Sequence, residues 1–202
     1  DTSKVLSPRS AFANVQSLRN TPLGLADLNF SSCTDMTGMF SMFIAPNNFI
    51  NAIKNWNTSA CKDMSQMFYR ASFNSGLILT GWDTSVCENM SAMFANVISP
   101  LINISSFDLS SCGNIKSMFL AITNLTSLTL GEGIGKMKDE CGTLDLSGLS
   151  GWKNGTVKSL LTLYDRKAAG MGVITIKLHA NTKAVLGEDG IAQLTAKGYT
   201  IA

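Results

Sequence analysis

One histidine, His179, stands in 202 residues, so a catalytic triad or a histidine metal cluster would have to run through a single side chain with no motif around it. No GxSxG, phosphate loop, HExxH or dinucleotide fingerprint occurs, and an enzyme would need a site assembled from no recognisable part. Charge is sparse and balanced: 16 basic against 14 acidic residues leave a formal +2, so nothing marks a surface for nucleic acid or an anionic membrane. The one dense charge run, residues 136–140, mixes signs and reads as a solvated loop. Apolar residues make up 45% of the chain, yet no unbroken apolar run reaches membrane length, and no signal peptide or lipid-attachment motif appears. A single soluble domain with a sizeable core is expected, and the half-repeat at the start suggests a trimmed mature fragment.

What is present is a phrase written four times: LNFSSCTDMTGMF from Leu28, WNTSACKDMSQMF from Trp56, WDTSVCENMSAMF from Trp82 and FDLSSCGNIKSMF from Phe107. Cys33, Cys61, Cys87 and Cys112 mark one position in the four copies, at intervals of 28, 26 and 25 residues. Repeats at this period imply stacked units that bury their apolar faces against one another. Within a copy, Met64, Met67, Phe68 and Ala71 fall at i, i+3, i+4 and i+7, one face of a short helix, with Asp35, Asp63, Asn89 or Asn114 placed to cap it. Before each phrase the period changes to two: Leu23 and Leu25, Leu77 and Leu79, Ile102 and Ile104, Leu128 and Leu130 alternate as half-buried strands.

The expected fold is therefore an α/β solenoid, a leucine-rich-repeat-like right-handed coil with parallel strands along one side and short helices along the other. Residues 1–18 form a truncated first unit, with Ser7 and Pro8 opening a helix. Residues 19–164 carry the repeats. A degenerate unit includes strands near Leu128 and Leu144, and a hidden fifth copy aligns Trp152, Val157, Leu160, Leu163 and Tyr164 with Trp82, Cys87, Met90, Met93 and Phe94. Residues 165–202 close the end, with a strand through Ile174, Ile176 and Leu178, a helix presenting Ile191 and Leu194, and a last strand from Tyr199 to Ile201.

Each chemically suggestive residue also has a plain reading. The cysteine column gives way to Val157 in the fifth copy, so a small buried hydrophobe is wanted there, and no C-x-x-C pairing suggests zinc. Cys141 falls outside the register. The tryptophans could stack a sugar, but Leu28 and Phe107 at the same position point to packing. Asn29, Asn57, Asp83 and Asp108, each two residues before a serine, could line up for calcium; Asx residues at fixed turn positions more often bond their own backbone. No cofactor and no metal is expected.

The phrase W-[DN]-T-S-x-[VC]-x-[DN]-M-S-x-M-F resembles the repeat of the BspA-like leucine-rich-repeat family of bacterial surface proteins, over roughly residues 19–165, with cysteine where that repeat usually has valine. LTLYDRKAAGMGVITIKLHANTKAVL resembles the closing unit after such repeats in Bacteroides proteins. The resemblance implies an extracellular or cell-surface module that adheres to a protein or glycan of a host or another bacterium, without catalytic residues. A monomer that neither binds nucleic acid nor inserts in a membrane is expected. The candidate face is the exposed strand side, where Gly24, Ala52, Ile78 and Asn103 form one column and Ala26, Lys54, Thr80 and Ser105 the next. The alternative function is a structural spacer that displays another domain.

Overall fold

The computed structural model of the chain describes residues 2–16, 24–46, 48–152 and 155–202. The methionines and phenylalanines of every phrase are buried, as are Cys33, Cys61, Cys87 and Cys112 at 0% exposure. Their local geometry, however, is not helical. Each phrase is a run of tight turns in which two residues four apart are left-handed: Gly38 and Met42, Gln66 and Arg70, Ala92 and Asn96, Ser117 and Ala121, with φ between 52° and 61°. A left-handed residue other than glycine costs about 1 kcal/mol and cannot continue an α-helix. The cost is offset because alternate amides turn outward to the next copy. Met64, Gln66, Phe68 and Arg70 donate to the carbonyls of Asn89, Ser91, Met93 and Ala95 at 2.9–3.0 Å, each bond worth a net ~0.5–1.5 kcal/mol. The same four-bond step joins residues 36–42 to 63–69 and 90–96 to 114–120.

Asp35, Asp63, Asn89 and Asn114 do accept the amide two residues on, at 2.8–3.1 Å, but what they open is this turn run and not a helix. Ser7 and Pro8 likewise precede turns, with Ser10 and Asn14 left-handed. Stacked on these backbone steps, the rings of Phe12, Phe40, Phe68, Phe94 and Phe119 lie nearly parallel, with successive centroids 5.3, 5.8, 6.0 and 5.6 Å apart.

Among the described residues the strands form two separate parallel sheets of three. The first pairs β1 (Leu77–Ile78), β2 (Leu101–Ile104) and β3 (Ser127–Leu130); the second pairs β4 (Thr143–Leu146), β5 (Ile174–Leu178) and β6 (Tyr199–Ile201). Alternation along β2, β3 and β5 buries Ile102, Ile104, Leu128, Leu130, Ile174, Ile176 and Leu178. The described residues hold two α-helical segments, α1 (Phe49–Ile53) and α2 (Ala180–Ala196), the latter broken at Gly187. Short 3-10 helices lie at Leu25–Asp27, Glu132–Lys136, Asp139–Cys141 and Gly155–Thr162.

This is a compact α/β domain, and the expected leucine-rich-repeat-like solenoid, with one unbroken sheet and a helical side, is corrected. Three physical causes separate the two. The Met-Phe phrase spends its amides on the neighbouring copy and so forms no helix. Copy two folds as α1 where a strand was expected, and Leu25 sits in a 3-10 turn; Leu23 lies outside the described residues. Finally, the 3-10 turns between β3 and β4 displace the chain, so that β4 pairs with β5 and not with β3.

Candidate binding surface

Parallel pairing sets Ile78 opposite Asn103 and Asn103 opposite Thr129. The neighbours of each on its strand point into the core, so these three share the outward face. Ile78 is 39% exposed. Asn103 is half-buried, and its Oδ1 accepts the Ser105 amide at 3.1 Å, which ties the end of β2 into a turn. Thr80 and Ser105 are exposed just beyond the two strands. Ala52 does not join them: as part of α1 it is turned inward, at 9% exposure. Lys54 is exposed at the end of that helix, Gly24 is a left-handed turn residue (φ 81°), and Ala26 belongs to the first 3-10 turn. The face thus starts at β1. Between β1 and α1 lies a hollow of about 200 Å³ whose walls include Phe49, Ile50, Phe73 and Ile78.

The other candidates are drawn into the interior. Each column cysteine donates its thiol to the carbonyl two residues on, at 3.3–3.6 Å, which a valine could not do. Cys33 lies beside Cys61, and Cys112 beside Cys141; the interaction of the two thiols in each pair holds Cys33 and Cys112 below the ordinary thiol range and pushes Cys61 and Cys141 above it. Burial pushes Cys87 up to about 12. Trp56, Trp82 and Trp152 are buried, leaving no ring face for a sugar, and the first two donate to the carbonyls of Leu25 and Ile53 at 3.1 and 2.9 Å. Asn29, Asn57, Asp83 and Asp108 each accept the amide of the following serine at 2.8–3.1 Å. His179 begins α2 and accepts the Asn181 amide through Nδ1. Among the described residues no group of three or more His, Cys, Asp or Glu could hold a metal ion, and no helix is long and apolar enough to cross a membrane.

Several features had no role assigned from the sequence. Thr58 and Thr84, 1% exposed, donate to the carbonyls of Asp83 and Asp108 in the next copy, which accounts for the threonine of the phrase. Ile44 and Ile98, 45% and 56% exposed, align through Ser72 on another side of the stack. Arg166 is fully buried: its Nη1 donates to Gly135 and Met137 carbonyls at 2.8 and 2.7 Å, its Nε to Gly172 at 2.8 Å, and its Nη2 to Asp139. A cleft of about 510 Å³ opens between residues 113–121 and β4.

These observations define an α/β protein made of backbone-linked copies of one phrase, with a flat sheet face and a separate cleft. The family described as "Mycoplasma protein of unknown function, DUF285" matches residues 6–130, and the chain belongs to that family. It is a different family from the BspA-like leucine-rich-repeat proteins that the phrase resembles, and that expectation is corrected accordingly. No curated protein and no solved structure matches the chain.

Proposed function

We propose that the chain is a non-catalytic binding module whose outer β1–β3 face docks a partner. The observation that carries this reading is the pairing of an exposed apolar residue, Ile78, with the adjoining 200 Å³ hollow. A shallow pocket that accepts one apolar side chain, lined also by Asn48, Asn51, Asn74 and Ser75 and joined through Ile78 to the face that carries Asn103 and Thr129, has the arrangement of an interface centre: a desolvated anchor point within a polar surround. Lys54 carries an exposed positive charge at the end of α1, the helix whose Phe49 and Ile50 wall the hollow. The proposal extends to an extracellular or cell-surface setting, where the partner is a protein or glycan on a host or bacterial surface and the role is adhesion.

The test is an array of matrix proteins and surface glycans probed with the intact chain and with an Ile78→Lys, Asn103→Arg double variant. A hit weakened at least about tenfold by the double variant, a loss of ~1.4 kcal/mol in binding free energy, supports the reading. Circular dichroism should show the variant folded, since both side chains leave the core untouched. No hit, or binding equal in both proteins, would contradict it, and a chain that binds nothing fits display of another domain better.

A further inference from the structure

The ladder that joins the copies ends before it is filled. In three successive copies the amides at alternate positions of the turn run each find a carbonyl of the next copy, as Met90, Ala92, Phe94 and Asn96 do with Asn114, Lys116, Met118 and Leu120 at 2.7–3.0 Å. In the fourth copy the equivalent amides belong to Ile115, Ser117, Phe119 and Ala121, and among the described residues none has an acceptor. The carbonyls between them point back to copy three, so these amides point forward, into the 510 Å³ cleft that the same residues line.

The opposite wall is β4, and its facing edge is open as well. Thr175 donates to the Gly142 carbonyl at 2.9 Å, and among the described residues β4 pairs with β5 alone. Backbone groups alternate in direction along a strand, so Thr143 and Asp145, which line the cleft, turn their amides and carbonyls into it. The cleft therefore lies between two unpaired main-chain edges. Its ends are closed: the Cys141 thiol reaches the Cys112 carbonyl at 3.3 Å on one side, and a side chain begun at Gly148 would lie 3.6 Å from the Ala121 amide on the other. Ser117, Ala121, Gly113 and Gly148 keep the walls low enough for another backbone to approach.

We propose that this cleft takes a short segment of a partner protein, coiled in the same run of turns as the internal phrases, which adds one further rung by placing carbonyls from alternate residues on the amides of Ile115, Ser117 and Phe119. The occupant's chemistry follows from the internal rungs, where the same donors take main-chain carbonyls with that spacing. Recognition of this kind is main-chain addition to an open edge, in which the backbone gives the affinity. Lys116 and Lys177 face the rim together with Glu140 and Asp145, so neither sign of charge is preferred along the segment. This site is separate from the β1–β3 face and does not rest on it.

The probe is a synthetic peptide of residues 62–72, KDMSQMFYRAS, whose carbonyls fill the donors of residues 36–42 inside the intact chain. Added to the isotope-labelled whole chain, it should shift the amide resonances of Ile115, Ser117 and Phe119. At ten times its Kd it should slow their hydrogen exchange by about tenfold. Both effects should vanish in Gly148→Trp, which fills the cleft, and in Thr143→Trp, which fills it from the other wall; either variant serves if the other fails to fold. Both effects should persist in Ile78→Lys, which separates this site from the sheet face. No change at these amides with millimolar peptide, or changes that survive in the folded cleft-filling variants, would overturn the proposal. So would self-association of the chain abolished by Gly148→Trp, because the cleft would then hold a second copy.

Discussion

Replacing Arg166 by methionine keeps the length of the side chain and removes every donor it carries, and the structure sets what that should cost. The guanidinium is 0% exposed and holds the carbonyls of Gly135, Met137 and Gly172 at 2.7–2.8 Å, together with the Asp139 carboxylate. Gly135 and Met137 are themselves buried, so their carbonyls would lose their partner without gaining water. Each such group costs about 1–3 kcal/mol, and breaking a buried charged network by removing one member costs about 3–5 kcal/mol. The two routes agree on a loss near 4 kcal/mol. At ~2–4 °C per kcal/mol for a chain of this size, melting should fall by on the order of 10 °C. Asp139 provides the internal comparison: its side chain is 59% exposed and the three carbonyls still hold the guanidinium without it, so Asp139→Asn should cost clearly less than Arg166→Met. Urea unfolding of the three proteins, with thermal melts alongside, measures both values. An Arg166→Met protein within about 1 kcal/mol of the parent would refute the reasoning, as would an Asp139→Asn protein equally damaged.

Phe68→Ala should destabilise by about 3–5 kcal/mol, because the ring is fully buried and lies in the middle of the phenylalanine stack, whereas Phe12→Ala at the half-buried end should cost less than half of that in the same denaturant titration. Burial raises the Asp63 carboxyl, but bonds from the Ser65 hydroxyl and amide, Asn89 and Thr37 outweigh it and hold the group below its ordinary 3.8. A depressed folded value means stability that is full above the unfolded value and lost as pH falls through the folded one. Unfolding free energy measured from pH 6 downward should accordingly drop below about pH 4, and Asp63→Asn should flatten that part of the curve; an identical acid limb would rule this contribution out.

The buried half of this protein was open to reading from its residues. Cys33, Cys61, Cys87 and Cys112 share one environment, Trp56 and Trp82 one packing position, and Asn57 and Asp83 one turn, because burial and Asx turns leave periodic marks in side-chain type. The backbone half was not. Met64, Met67, Phe68 and Ala71 are inward at a spacing that a helix and a run of three-residue turns share, and only the left-handed Gln66 and Arg70, neither a glycine, separate the two. The division into two sheets depends on turns at Glu132–Lys136 and Asp139–Cys141, a stretch whose mixed charges read as plain loop. Of the proposed face, Ile78 and Asn103 were placed together by strand alternation, and Ala52 was misplaced because a five-residue helix took over the strand's position. The open amides of copy four are main-chain features at ordinary residues, Ile115, Ser117 and Phe119, and no residue type announces them.

Amide hydrogen exchange in the unliganded chain tests the central claim most directly, namely that main-chain bonds from copy to copy hold the phrases together and stop at the fourth. Met90, Ala92 and Phe94 should exchange near the rate of global unfolding, while Ile115, Ser117 and Phe119, at matching positions of the next phrase, should exchange orders of magnitude faster. Equal protection of the two sets, or protection following the i to i−4 pattern of a helix, would contradict the account.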